Sequence, residues 1–230
     1  MDFVVGGFYF INKVPVGGWL AVATKQSGAP ILLLEYTRIR IIEIARHRVY
    51  FEVMDGGQKG AVASLSQTSA AVYLGVAAPK QGFAQAMVSY GAVEEIYSRA
   101  KRATYWQQTA ILVAENVCAA VTLNTELGAD EVPDAFKPIP PGTYKILVPP
   151  SPRDKTMTAV YRSRMDSSLK SDQVWFPIEY GDNSRFIHLG DVSEGSVTVM
   201  ELSRWNAIYQ SLVSHRSTDG RYVGQLTVQK

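Results

Sequence analysis

The sequence predicts a mainly β protein with a few helices, an α+β chain. Short runs of β-branched and aromatic residues recur between glycine- and proline-containing turns. Pro133, Pro138, Pro140 and Pro141 crowd one segment, where neither a helix interior nor a central strand accepts them. The clearest helical stripe is Leu202, Trp205, Ile208, Tyr209, Leu212 and Val213. A hydrophobic fraction of 47% and a charged fraction of 19% suit a folded chain and exclude a disordered or collagen-like one.

Taken in order, residues 3–11, 19–24, 31–36, 39–44 and 49–53 read as strands of an antiparallel meander. Gly17-Gly18, Gly28-Ala29-Pro30 and Asp55-Gly56-Gly57 supply the turns between them. Residues 82–121 change character. Ala, Glu, Gln and Met become frequent, and Val93, Ile96 and Tyr97 stand three and four apart, which predicts one or two helices. Residues 128–141 form a loop and a candidate boundary, dividing an N-terminal β and helical region (1–127) from a second part (128–230). Because that linker is short, the two parts are expected to share one body. Beyond it, residues 143–148, 173–178, 185–189 and 222–228 read as strands.

The last helix has readable ends. Thr198 followed by Glu201 has the capping-box pattern, and His215 and Arg216 suit the negative end of the helix dipole. On this reading Gly195, Ser196 and Val197 lie just before a helix N-terminus, where free backbone N–H groups favour an anion. The apolar stripe of that helix is expected to pack on a sheet.

The formal charge of +2, from 23 basic and 21 acidic residues, sets up no field that argues for nucleic acid. Cys118 stands alone, which excludes an intrachain disulfide, and its apolar neighbours predict a buried position. His47, His188 and His215 show no metal-ligand spacing, so neither metal nor cofactor is expected. The first residues lack the basic segment of a secretory signal, and the uncharged stretch 60–79 is too polar to span a bilayer. These features predict a protein made in the cytoplasm without a membrane span.

One segment concentrates chemistry. His188 precedes Ser196 by eight positions, at the end of a strand-like run and ahead of a glycine-containing loop. Such an arrangement brings an imidazole near a hydroxyl and leaves backbone N–H groups for an oxyanion. Spacing alone does not separate that reading from a structural histidine.

This segment resembles the signature of L,D-transpeptidase catalytic domains, a histidine followed closely by glycine, then a loop, Ser-x-Gly-Cys and a helix. His188 and Gly190 match its first part, Ser193, Glu194 and Gly195 its second, and Ser196 falls on the cysteine position. Upstream, residues 140–146 resemble the family's turn into a core strand, and Trp175-Phe176-Pro177-Ile178 with the Trp205 helix has the look of an effector-like branch. The resemblance covers residues 137–230 and implies a β-sandwich or barrel with one helix after the nucleophile loop.

It implies further that a nucleophile at 196 attacks the carbonyl between the third and fourth residues of a peptidoglycan stem peptide and releases D-alanine. The acyl group then passes to an amine or to water. His188 becomes the general base, Gly195 and Ser196 the oxyanion donors, and the carbonyls of Leu189 or Gly190 the partners that orient the imidazole. Ser193, Glu194, Thr198, Arg185 and Trp175 line the substrate groove. The implied setting is an antibacterial effector acting in the periplasm of a target cell, with an immunity or adaptor protein as a further partner.

Serine at 196 departs from the pattern, because its hydroxyl is far harder to ionise than a thiol. Glu194 and Thr198 depart too, standing where histidine and arginine are common. Two origins of Ser196 stand open: a native serine in a serine enzyme or inactive relative, and a cysteine replaced to silence a toxic enzyme. The alternative function is an inactive module of the same fold that binds peptidoglycan or a protein.

Overall fold

A computed structural model describes residues 2–125 and 136–230. Residues 126–135, which include most of the expected 128–141 loop, lie outside the described part.

The N-terminal strands are β1 (Phe8–Ile11), β2 (Trp19–Thr24), β3 (Pro30–Leu34), β4 (Arg38–Ala45), β5 (Arg48–Val53), β6 (Val62–Ser66) and β7 (Leu74–Gly75). They form one seven-stranded sheet in the order β3-β2-β6-β5-β4-β1-β7. Alternation drives it: Ile39 and Ile41 of β4, with Val49, Phe51 and Val53 of β5, point into an apolar core while Arg38 and Arg40 face out. A short helix, α1 (Gln67–Tyr73), follows β6 and starts where Ser66 Oγ accepts the Ser69 N–H at 3.0 Å.

The second sheet has eight strands: β9 (Ala84–Ser98), β10 (Ala103–Ala114), β11 (Val117–Leu123), β12 (Gly142–Leu147), β13 (Phe176–Pro177), β14 (Phe186–Leu189), β15 (Val197–Val199) and β17 (Tyr222–Gln229). Their order is β12-β17-β9-β10-β11-β15-β14-β13. A bridge between Ile146 and Ile178 joins the two ends, so the sheet curls into a nearly closed barrel. β9 and β17 run parallel, from Gly224 beside Ala84 to Gln229 beside Ser89. Strands from both sides of residue 128 thus share one sheet.

Residues 82–121 are therefore not the expected helices but the long hairpin β9–β10 and the start of β11. The decisive pattern has period two. Ala84, Ala86 and Val88 on β9, with Ala110, Leu112 and Ala114 on β10, alternate into the core. Small alanines at those positions leave room beneath the sheet for a helix, and alanine's helical preference yields to that packing. Cys118 is likewise exposed and not buried, because Ala119 and Val121 take the inward positions of β11.

That helix is α3 (Leu202–Val213), whose Trp205, Ile208, Tyr209, Leu212 and Val213 are buried against the eight-stranded sheet. Its C-terminal end is held as the charge pattern predicts: His215 Nδ1 donates to Ser211 O at 2.8 Å and Arg216 Nη1 to Val213 O at 2.9 Å. The other end differs from expectation. Glu201 is the N-cap but its side chain makes no capping hydrogen bond, and Thr198 belongs to β15. The other elements of the described residues are a short pair, β8 (Lys80–Gln81) with β16 (His215–Arg216), a 3-10 turn (Gly56–Gln58), and α2 (Lys155–Val160), continued by a π-helical turn (Tyr161–Met165).

The two sheets are packed together. Trp19 and Leu34 of the first join the core of the second. Trp19 Nε1 donates to Gln173 O at 3.3 Å, and Tyr209 of α3 donates to Glu35 Oε2 at 3.0 Å.

Candidate active site

β14 and β15 lie side by side and parallel, with Ile187 beside Val197, His188 beside Thr198 and Leu189 beside Val199. Ile187, Leu189, Val197 and Val199 all enter the barrel core. By strand alternation His188 and Thr198 occupy the opposite face, and one pair earlier the register places Phe186 and Ser196 there too. The amide of Phe186 donates to Ser196 Oγ at 3.2 Å, so the hydroxyl ends the ladder that the two strands share.

Both imidazole nitrogens of His188 are engaged. Nδ1 is 2.7 Å from the carbonyl oxygen of Leu189, which can only accept, so Nδ1 carries the proton. Nε2 therefore offers its lone pair, and Thr198 Oγ1 stands 3.2 Å from it. The Trp175 ring stacks on the imidazole at 3.8 Å between centroids. Burial holds the His188 pKa down at about 4, with nearby Arg153 acting in the same direction and Leu189 O and Glu194 opposing. At neutral pH the ring is an uncharged acceptor.

Gly190 follows because no larger residue fits there. A Cβ on it would lie 2.6 Å from Thr198 Cγ2 and 3.7 Å from His188 Cε1. Residues 190–196 then connect the two parallel strands, and the β9–β10 hairpin grips them. Asp191 accepts from Ser98 Oγ at 3.0 Å and from the Ala100 amide at 3.0 Å. Tyr161 donates to the same carboxylate at 3.2 Å, and burial beside it raises the phenol's pKa. Gln107, almost fully buried, accepts from the Ser193 amide at 2.6 Å and donates to Ser193 O at 3.3 Å. Lys101 and Glu194 form an exposed ion pair at 2.5 Å. Within the loop, Ser193 Oγ donates to Ser196 O at 2.6 Å and accepts from the Gly195 amide at 3.1 Å. Gly195 has a φ of +108°, which disfavours any side chain there.

The expected residues thus fall into three groups. His188, Leu189, Gly190, Thr198 and Trp175 meet around the imidazole, while Ser196 stands on the Phe186 amide at the start of β14. Ser193 and Gly195 shape the loop. Glu194 and Arg185 stand elsewhere, Glu194 on Lys101, and Arg185 with its guanidinium 4.6 Å from the Tyr180 ring centre and donating to Lys137 O at 3.1 Å.

Three expectations need correction. Ser196 is not at a helix N-terminus, because the β-branched run Val197-Thr198-Val199 pairs with β11 and β14 before α3 begins at Leu202. The Gly195 amide is already bonded to Ser193, so it is not an open oxyanion donor. Nor do hydrogen bonds link His188 and Ser196 directly. Two residues of strand, roughly 6–7 Å, separate the Thr198 level from that of Ser196.

Gln107, Ser98, Asp191, Tyr161, Phe186 and Arg153 are site neighbours that the sequence reading missed. Asp191 and Phe186 lie within or beside the chemical segment, whereas Gln107 and Ser98 come from the β9–β10 hairpin and Arg153 and Tyr161 from the stretch about α2, which nothing in the sequence marks. Beside this region a cavity of about 330 Å³ is lined by Leu147, Pro150, Arg153, Trp175, Asn183 and Phe186, among others. Another, of about 360 Å³, adjoins Gly190, Asp191 and Tyr161. Among the described residues no cluster of His, Cys, Asp or Glu suits a metal ion, and no helix is long and apolar enough to cross a membrane. Comparison with family models, characterised proteins and solved structures finds no match to this chain.

Proposed function

We propose that this chain is an acyl-transfer domain of the L,D-transpeptidase or L,D-carboxypeptidase type, acting on peptidoglycan stem peptides, with Ser196 at the nucleophile position. The observation that carries the proposal is the tautomer of His188. The Leu189 carbonyl fixes the proton on Nδ1, leaving Nε2 as the acceptor on the face that also holds Thr198 and Ser196. The tautomer meets one requirement of a general base; the other, reach to position 196 past Thr198, has to be met by a bridging water.

The chemistry then follows simple proton accounting. A thiol at 196 passes its proton through a bridging water to His188 Nε2 as sulfur bonds to the stem carbonyl. The imidazolium returns that proton to the departing amine of D-alanine, and an amine or water later releases the acyl group. A thiolate at 196 would itself favour the imidazolium, offsetting the burial that holds the ring neutral. A serine gains no such help, since an imidazole of pKa about 4 is a weak base toward an alcohol. An antibacterial effector that works in the periplasm of a rival cell is the setting this substrate suggests.

The decisive experiment is to incubate the Ser196→Cys protein with purified muropeptides and follow D-alanine by mass spectrometry. Release or exchange of D-alanine supports the proposal. Absence of both from a folded Ser196→Cys protein rejects it.

A second reading, a binding module without turnover, is favoured by one observation: Ser196 Oγ and the Gly195 amide are both tied into the loop and its strand. It requires stem peptide to bind the serine form, read by calorimetry, while the Ser196→Cys form stays inert.

A further inference from the structure

Arg153 occupies an unusual position. Its backbone amide donates to Gln173 O at 2.9 Å, which fastens it beside the Trp175 segment. Its guanidinium carbon lies 4.0 Å from the centre of the Phe186 ring and 4.9 Å from that of Trp175. Both rings belong to the site: Trp175 stacks on His188, and the Phe186 amide bonds to Ser196 Oγ. Among the described residues no carboxylate comes within ion-pair distance of Arg153, and no side-chain hydrogen bond holds its guanidinium. Arg162, another partly buried arginine, is by contrast paired with buried Asp172 at 2.7 Å.

A cation held over two aromatic rings that are tilted 60° to each other has no hydrogen-bonding partner in them, so its N–H donors stay free to engage a carboxylate in parallel hydrogen bonds. The cavity it faces is lined mainly by apolar groups, Leu147, Val148, Pro150, Pro177 and the two rings, with Ser151 and Asn183 as the other polar side chains. Such surroundings strengthen a single charge contact by excluding water. Partial burial already lowers the pKa of Arg153, a sign that its charge is incompletely solvated.

We propose that Arg153 is the carboxylate-recognition residue of this site, and that it binds the terminal carboxylate of the D-alanine to be released. The assignment rests on the acyl-transfer reading above. It adds the element that selects the substrate: a stem peptide ending in a free carboxylate one aromatic ring away from position 196. The ring stack couples the two tasks, because Trp175 supports the guanidinium and packs on the base.

The test separates this assignment from the function it rests on. Binding of a stem tetrapeptide and of its C-terminal carboxamide to the serine protein is measured by calorimetry, in the native chain and in the Arg153→Gln and Arg153→Lys variants. The carboxylate peptide should bind about ten- to one-hundredfold more weakly to Arg153→Gln, the carboxamide equally to both, and Arg153→Lys should recover part of the difference. In the Ser196→Cys background the loss from Arg153→Gln should fall on KM more than on kcat. Equal weakening for carboxylate and carboxamide, or no weakening, overturns the assignment even if the Ser196→Cys protein turns over. Carboxylate-selective binding that depends on Arg153 without turnover leaves the subsite standing and removes the acyl-transfer reading.

Discussion

Replacing His188 by glutamine should flatten the dependence of stability on acid. The imidazole is buried, and its pKa falls from 6.5 to about 4. As pH drops through 6.5 the unfolded chain takes up a proton on this ring, whereas the folded chain does so only near pH 4. Between those values the unfolded state holds more protons, so the stability present above pH 6.5 declines as pH falls. Worked through the linkage relation, the loss between pH 7 and pH 4.5 is about 2 kcal/mol from this single group. Urea unfolding of the native chain and of His188→Gln across that window measures it. Glutamine removes the titration but leaves the other ionisable groups in place, so the informative quantity is the difference between the two slopes and not either stability alone. Parallel slopes would refute the argument, and with it the picture of a neutral imidazole enclosed by Trp175, Leu189 and Thr198.

Trp205 is fully buried and its indole N–H donates to Ser171 O at 3.3 Å, so Trp205→Ala should cost about 3–5 kcal/mol, read as a lower denaturation midpoint. Gly190→Ala forces a methyl against Thr198 Cγ2, and a cost of about 1–3 kcal/mol is expected, with weakened coupling between Thr198 and the imidazole seen by NMR of the ring. Removing Gln107, as Gln107→Ala, takes away two hydrogen bonds to Ser193. Amide exchange in residues 190–196 should then accelerate while the β4–β5 hairpin stays protected; uniform acceleration would show that the loop is not an independent unit.

The first five strands of the first sheet were legible because they are short β-branched or aromatic runs between glycine-containing turns, whereas β6, β7 and the non-sequential strand order, which replaces the expected meander, were not. The stripe on α3 was legible from its helical period, and Trp205 is buried as that stripe requires. β9 and β10 misled because their inward residues are small: alanine marks the space α3 occupies, and only the finished barrel reveals that use. The start of α3 misled for a different reason. Thr198 and Glu201 have capping-box spacing, yet the β-branched residues around Thr198 gain more from pairing with two strands than from beginning a helix. Within the site, His188, Gly190 and Ser196 could be found because they are close in sequence. Gln107, Arg153 and Tyr161 reach the same place through tertiary contacts, which no local pattern records.

The parallel pairing of β9 with β17 bears on how the chain acquires its shape. Gln229 bonds to Ser89 across 140 positions of sequence, and this contact belongs to the seam that links the two halves of the barrel. During synthesis the seven-stranded sheet has all its strands once Gly75 has emerged, whereas β9 must wait for β17 with one edge unpaired. Closure of the barrel is therefore a late, long-range event, and loop entropy makes such events slow. In the interval the exposed edge of β9 is a template for another chain. Yield on refolding should accordingly depend on protein concentration, and a chain cut before Tyr222 should retain the first sheet while its second half associates with copies of itself.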